Sequence, residues 1–368
     1  MGKKYSKYLP LLVGGLFLTM FAASCKKDSS PPKPVVPPKP IASIGLYEVD
    51  SSIYKRIFIP ISKIGTKSVT YFSVFDTGST GMTIDATDLL PASMITNSGI
   101  TVAGDSVVVN GITVTSQTSV IAYGNAQSEI QEYGNLAYAT VIVGNLQDGI
   151  TTSRIPIFLY YKIVDTKTGQ KQPAHSNDVF GVGPGVSFAN SKIGSPLSYF
   201  KTGANVTEGF KLAKLDKSAF SISGTFVADL LTIGLVPDDL SSSSGFVMHP
   251  LKYFNQGGYS PDIPATVTYN GKNVAATLLF DTGTPAISTI ADPNATSNIA
   301  SIPANTDVTL TTTNGFSYTY TTTSAENLTQ VAKPSYTGDP RTIFSIEFFT
   351  DNEFLMDYAN HKIGLKNN

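Results

Sequence analysis

The sequence predicts an all-β protein built from two related lobes that face each other across a pseudo-twofold axis. Three observations lead there. Ser, Thr, Val, Ile, Tyr and Phe are plentiful, while charged residues make up only 14% of the 368 positions, a mixture that favours strands. Short apolar or alternating runs recur along the chain, punctuated by Gly, Asn and Asp. A whole block, strand then apolar run then Phe-Asp-Thr-Gly-hydroxyl, occurs once around Asp76 and again around Asp281.

The N-terminus is read as a targeting segment rather than as fold. Residues 1–25 begin with Lys3, Lys4 and Lys7, continue with a short apolar run, and end in "FAASC" at Cys25, the only cysteine. This resembles a bacterial lipoprotein signal with its lipobox. The resemblance implies cleavage before Cys25, lipidation of its sulfur and anchoring in the cell envelope, at the outer membrane on its periplasmic or surface face. An ordinary secretory signal with a stray cysteine is the alternative. Residues 26–40, "KKDSSPPKPVVPPKP", are rich in proline and read as an extended tether. With Cys25 used as the anchor, no thiol remains for a disulfide or for catalysis.

The folded part is expected to divide into lobes at 41–235 and 236–368. In the first, "YKRIFIPIS" and "VTYFSVFD" have strand length and pattern. Asn110-Gly111 and Asn270-Gly271, each between apolar runs, signal two-residue hairpins, and Gly124-Asn125 is placed similarly. Helices are expected only near residues 87–94, 196–201 and 346–350. "PIFLYYKI" from Pro156 reads as a core or edge strand rather than as a cleft lining. A second repeated piece follows each block, "NDVFGVGPG" at 177–185 and "TIFSIEFF" at 342–349.

One Asp-Thr-Gly is an ordinary turn, since Asp opens turns and Gly completes them. Two, each behind an apolar run that buries it, suggest shared chemistry. A buried carboxylate needs hydrogen bonds, which Thr77, Gly78 and Ser79 could give Asp76, and Thr282, Gly283 and Thr284 could give Asp281. If the turns meet at the axis, the two carboxyls cannot both ionise readily and would share a proton, one acting as general base and the other as general acid.

These motifs, with "KIGT" at 63–66, "YGNAQSEI" from Tyr123, "DVFGVG" at 178–183 and the tail at 348–365, resemble the pepsin-like aspartic peptidases. The likeness spans most of the folded part. It implies a bilobal pepsin-like fold and catalytic carboxylates at Asp76 and Asp281. It also implies a flap hairpin carrying Tyr123, with Tyr133-Gly134 as the rival position. The implied reaction is hydrolysis of an extended polypeptide by water held between the carboxylates, with no cofactor and no metal. The chain is expected to act as a monomer. Two departures stand out: Ser345 occupies a position usually held by glycine, which would loosen the packing under Asp281, and the chain has no Trp to partner the flap tyrosine. They motivate a second reading, a catalytically inactive pepsin-like surface lipoprotein that binds protein or glycan. A generic β-sandwich adhesin is a third, in which the two Asp would lie far apart.

Other chemistries find little support. A net charge of −1 gives no electrostatic case for nucleic acid. His175, His249 and His361 are scattered without metal-ligand spacing and read as surface or turn residues. Asp351, Glu353 and Asp357 read as a solvated strand end, because the loop pattern of a calcium site is missing. No Gly-x-Ser-x-Gly elbow is present. Asn205, Asn294 and Asn327 open Asn-x-Ser/Thr triplets, which carry little weight in a bacterial-type lipoprotein.

Overall fold

Strands begin almost at once after the proline-rich stretch, with Ala42–Ser51 paired antiparallel to Tyr54–Ile64. The computed structural model describes residues 37–51, 54–126, 128–145, 149–255 and 257–367. Cys25 and most of the 26–40 tether lie outside them. Among the described residues, no helix is long and apolar enough to cross a membrane.

Two large sheets dominate, one of sixteen strands and one of eight. In Tyr54–Ile64 the alternation predicted from sequence puts Ile57, Ile59 and Ile61 into the core, while Lys55 and Arg56 stay partly exposed at the strand's beginning. The larger sheet does not stop at the expected division between 235 and 236. Strands Val247–Pro250, Asn352–Asp357 and Lys362–Asn367, all from the second half of the chain, continue it beside Thr207–Leu212 and Thr225–Leu235.

Each half repeats one threading pattern. In the first, Val179–Val182 lies parallel to Lys67–Asp76 and antiparallel to Thr80–Asp85, passing beneath the turn that joins them. In the second, Thr342–Phe344 lies parallel to Lys272–Phe280 and antiparallel to Ser288–Ala291.

The Asn-Gly dipeptides turn the chain as expected. Asn110 and Gly111 have φ of 51° and 74° between the paired residues Val109 and Ile112. Asn270 and Gly271 have φ of 47° and 71° between Tyr269 and Lys272. Positive φ at both central positions matches the strand twist of a two-residue hairpin. Gly124-Asn125 does not turn. Both residues remain in strand Ile112–Asn125, and pairing with Ser128–Ala139 runs on to Asn125 opposite Ser128. The register there follows the buried face of Ile121, Ile130 and Leu136 rather than the dipeptide.

Two of the three expected helices are shorter than predicted. The 87–94 helix reduces to a turn and a 3₁₀ segment, Ala92–Met94, because Pro91 cannot sit inside a helix. The 196–201 candidate is a 3₁₀ turn, Pro196–Tyr199, whose start is capped by Ser195 Oγ accepting from Leu197 N at 3.3 Å. Ile346–Thr350 is also 3₁₀. Two single-turn helices not anticipated, Pro237–Leu240 and Pro334–Thr337, each carry proline in the first turn, where no N–H is needed. Strand Ile155–Asp165 is interior, paired on both edges, with Phe158 and Tyr160 buried.

Candidate active site

Asp76 ends strand Lys67–Asp76, and Asp281 directly follows strand Lys272–Phe280. Each carboxylate is held by its own turn. Asp76 Oδ1 accepts from Gly78 N at 2.7 Å and Ser79 N at 3.2 Å, and Oδ2 from Ser79 Oγ at 2.5 Å. Asp281 repeats this, with Oδ1 accepting from Gly283 N at 2.7 Å and Oδ2 from Thr284 Oγ1 at 2.6 Å.

The threonines work across the two turns. Thr77 N donates to Thr282 Oγ1 at 3.1 Å, and Thr282 N donates to Thr77 Oγ1 at 3.0 Å. The hydroxyls then pass their protons onward, Thr77 Oγ1 to Phe280 O at 2.7 Å and Thr282 Oγ1 to Phe75 O at 2.6 Å. Both side chains are buried, so this reciprocal brace fixes the two turns against each other.

The glycines set the approach. A Cβ on Gly78 would lie 2.5 Å from Asp281 Cγ, and one on Gly283 would lie 2.7 Å from Asp76 Cγ. Only glycine therefore lets each turn reach the other's carboxyl. Asp76 is buried to 7% exposure, with Asp281 packed against its turn at Gly78. Burial, then the neighbouring charge of Asp281, raises the pKa of Asp76 well above the usual carboxylate range. The turns bring all eight predicted residues of the two motifs into one site. That arrangement excludes the β-sandwich reading, which needed the carboxyls apart.

Ser345 does not loosen the floor. In the first half, Gly181 sits opposite Asp76 and Gly81, where a Cβ would come 2.7 Å from Ser79 Oγ. In the second, Ser345 is fully buried, and its N–H donates to Ser288 Oγ at 3.0 Å. Its hydroxyl accepts from Ser288 Oγ at 3.2 Å and from Glu347 N at 3.4 Å, starting Ile346–Thr350. Asp281 N still donates to Phe344 O at 2.9 Å. The strand beyond Asp281 starts only at Ser288, which leaves room for the extra side chain.

Tyr123 lies near the tip of the hairpin, opposite Ile130 and on the same face as Glu132. The phenol is close to Glu132, Thr83 and Asp76, and burial, followed by the Glu132 charge, raises its pKa far above normal. Glu132 is fully buried, accepts from Asn177 Nδ2 at 2.8 Å, and is pushed up to about 8 by burial. Tyr133 faces away, donating to Gln131 Oε1 at 2.8 Å beneath Lys162, and Gly134 packs against the backbone of Leu159. Across the cleft, Ala126 N donates to Thr337 O at 3.1 Å, joining the hairpin tip to the far wall. Sequence reading missed Thr83 and Glu132. The one available signal was a carboxylate in the inward phase of a strand, two residues after Ile130.

Among the described residues no cluster of His, Cys, Asp and Glu could hold a metal ion. His249 is not a surface residue: pairing of Val247–Pro250 with Lys362–Asn367 buries it, bonded to Ile363 O at 3.2 Å and Thr312 Oγ1 at 2.8 Å. His175 pairs with buried Asp178 at 2.7 Å, and His361 stacks on Tyr259. The C-terminal carboxylates do not form a solvated cluster. Asp351 meets Lys217 and Tyr318, Glu353 meets Lys366, and Asp357 is buried and accepts from Asn360.

Fold and threading define the class: a bilobal, all-β, pepsin-like architecture. A crystal structure of an aspartic proteinase from Irpex lacteus matches over 89% of this chain and 97% of that one, with a TM-score of 0.55 and 14% identity. That likeness is one of fold. No protein-family model and no curated sequence matches the chain.

Proposed function

We infer that this protein is an aspartic endopeptidase. The observation that carries the reading is the closely approached pair Asp76–Asp281, each carboxyl against the other's turn glycine, with the two turns braced through Thr77 and Thr282. Such a pair titrates as one unit and keeps one proton over a wide pH range. The charged member takes a proton from a water lying between the carboxyls. That water attacks the scissile carbonyl carbon while the protonated member gives its proton to the carbonyl oxygen. The tetrahedral adduct then collapses: the newly protonated carboxyl gives its proton to the amine nitrogen, the C–N bond breaks, and a hydroxyl of the adduct returns a proton to the other carboxylate, which restores the pair. No covalent enzyme intermediate is needed. The hairpin with Tyr123 would close over an extended polypeptide strand and keep bulk water out. Because one chain supplies both carboxylates, a monomer suffices.

The test is direct. Asp76→Asn and Asp281→Asn should each lower peptide hydrolysis by at least about a thousandfold with the fold intact, and a transition-state-mimicking inhibitor of aspartic peptidases should block the parent. A well-folded parent that cleaves nothing in a broad peptide library from acid to neutral pH would sink the reading. We propose further that Cys25 carries a lipid and that residues 26–40 hold the catalytic unit off a bacterial envelope membrane. Cys25→Ala should move the protein from the membrane fraction to the soluble one.

A further inference from the structure

Strand Tyr54–Ile64 runs antiparallel to Lys67–Asp76 with Phe58 opposite Val74 and Pro60 opposite Phe72. Extending that register by one pleat sets Arg56 across from Asp76, on the same face of the sheet. The strand end is anchored there from the other half of the chain. Neighbouring Lys55 reaches Glu347, in the segment that follows Ser345, at 2.7 Å. Arg56 is thereby held at the cleft, and the charges of both Asp281 and Asp76 act on its guanidinium.

Arg56 is under-partnered for such a place. Among the described residues its guanidinium makes one hydrogen bond, to a backbone carbonyl, Lys55 O at 3.1 Å. No carboxylate forms an ion pair with it, within the 4.0 Å that the other pairs meet. A guanidinium has five donors in a planar fork suited to a carboxylate. The contrast is Arg341, whose charge also reaches Asp281 but whose donors engage Asp339 at 2.9 Å and 2.7 Å. A partly buried cation with most donors free beside a peptide-binding cleft calls for an anion from the ligand.

We propose that Arg56 is a specificity-determining residue that binds an acidic side chain of the substrate, Asp or Glu, close to the scissile bond. The proposal rests on the cleft being a peptide-binding site, but not on its cutting the peptide. The probe is a set of non-cleavable hydroxyethylene peptides, identical except for Glu or Gln at each position within three residues of the isostere. Their dissociation constants are measured by calorimetry on the full chain.

At one position Glu should bind about tenfold to a hundredfold more tightly than Gln, the range of a charge-assisted hydrogen bond. Arg56→Gln should erase that ratio, and Arg56→Lys should keep a reduced part of it, because an ammonium cannot bind the carboxylate bidentately. Equal affinity for Glu and Gln at every position in the parent would overturn the proposal, as would a ratio that survives in Arg56→Gln or no binding by any probe. The parent ratio stands as a test even if a variant misfolds. Selective binding without hydrolysis of a matching cleavable peptide would refute the peptidase reading and leave the role of Arg56 standing.

Discussion

The threonine brace makes a quantitative claim. Thr282→Val keeps the side-chain shape and removes one hydroxyl. Thr77 N, which donates to that oxygen at 3.1 Å, and Phe75 O, which accepts from it at 2.6 Å, both lose a partner in a buried site. Leaving a buried donor or acceptor unsatisfied costs about 1–3 kcal/mol each, so the variant should lose about 2–6 kcal/mol. Thr77→Val should cost a similar amount through Thr282 N and Phe280 O. The two hydroxyls lie 3.5 Å apart and serve one network. The double variant should therefore cost less than the sum of the singles, by about 0.5–3 kcal/mol. Urea unfolding of all four proteins, with slopes compared as well as midpoints, measures this cycle. A loss below about 1 kcal/mol for Thr282→Val, or strict additivity in the double variant, would show that the brace does not hold the turns together.

Two other expectations follow from the hairpin and from the buried acids. A Cβ on Gly338 would stand 3.7 Å from Ala126 Cβ, within the usual range of a disulfide. Gly338 has φ of 76°, so a Cys there costs about 1–2 kcal/mol; Ala126→Cys with Gly338→Cys should still form a bridge under oxidising conditions and block peptide entry, and reductant should restore it. Hydrolysis that persists with the bridge shown to be closed would mean that the tip need not leave Thr337. Stability should fall as pH rises from about 4.5 to about 8. Burial raises Glu48 to about 7 and Glu132 to about 8 from a normal 4.5, so the folded state holds protons that the unfolded state releases. That contribution is complete below the unfolded value and is lost as pH passes through the folded one. His175 adds to the trend: burial lowers its pKa, but the bond and charge of Asp178 outweigh this and raise it. Glu132→Gln should flatten the curve by a few kcal/mol at most, and an unchanged slope in urea titrations at pH 5 and 8 would refute the assignment.

What could be read from sequence was local chemistry. Asp-Thr-Gly specifies a turn that holds its own carboxylate, and duplication behind matching apolar runs says that two such turns belong together. Asn110-Gly111 and Asn270-Gly271 were legible because both residues tolerate positive φ where few others do. Gly124-Asn125 has similar chemistry and misled, since an inward face of Ile121, Tyr123 and Ile130 kept the strands paired past it. His249 and Asp357 were misread for a related reason. Their burial comes from strands that return to the larger sheet from far along the chain, and no window around either residue shows that partner. Ser345 looked like a defect only when considered alone. Ser288, distant in sequence, is what satisfies it.

The same distinction between local and distant bonds orders the site itself. Bonds from Gly78, Ser79, Gly283 and Thr284 to the carboxylates all run within one turn, so they aim each carboxyl, and those to Asp76 lower its proton affinity. Bonds between Thr77 and Thr282 all run between turns, so they set how far apart the carboxyls stand. Gly78 and Gly283 permit that spacing without contributing a bond of their own side chain. Aim and separation are thus carried by different residues. A mutation at Ser79 or Thr284 should shift the pH profile with the fold's stability nearly kept, and one at Thr77 or Thr282 should lower stability and rate together. A site in which either pair produced the other's effect would not be built in the way these hydrogen bonds indicate.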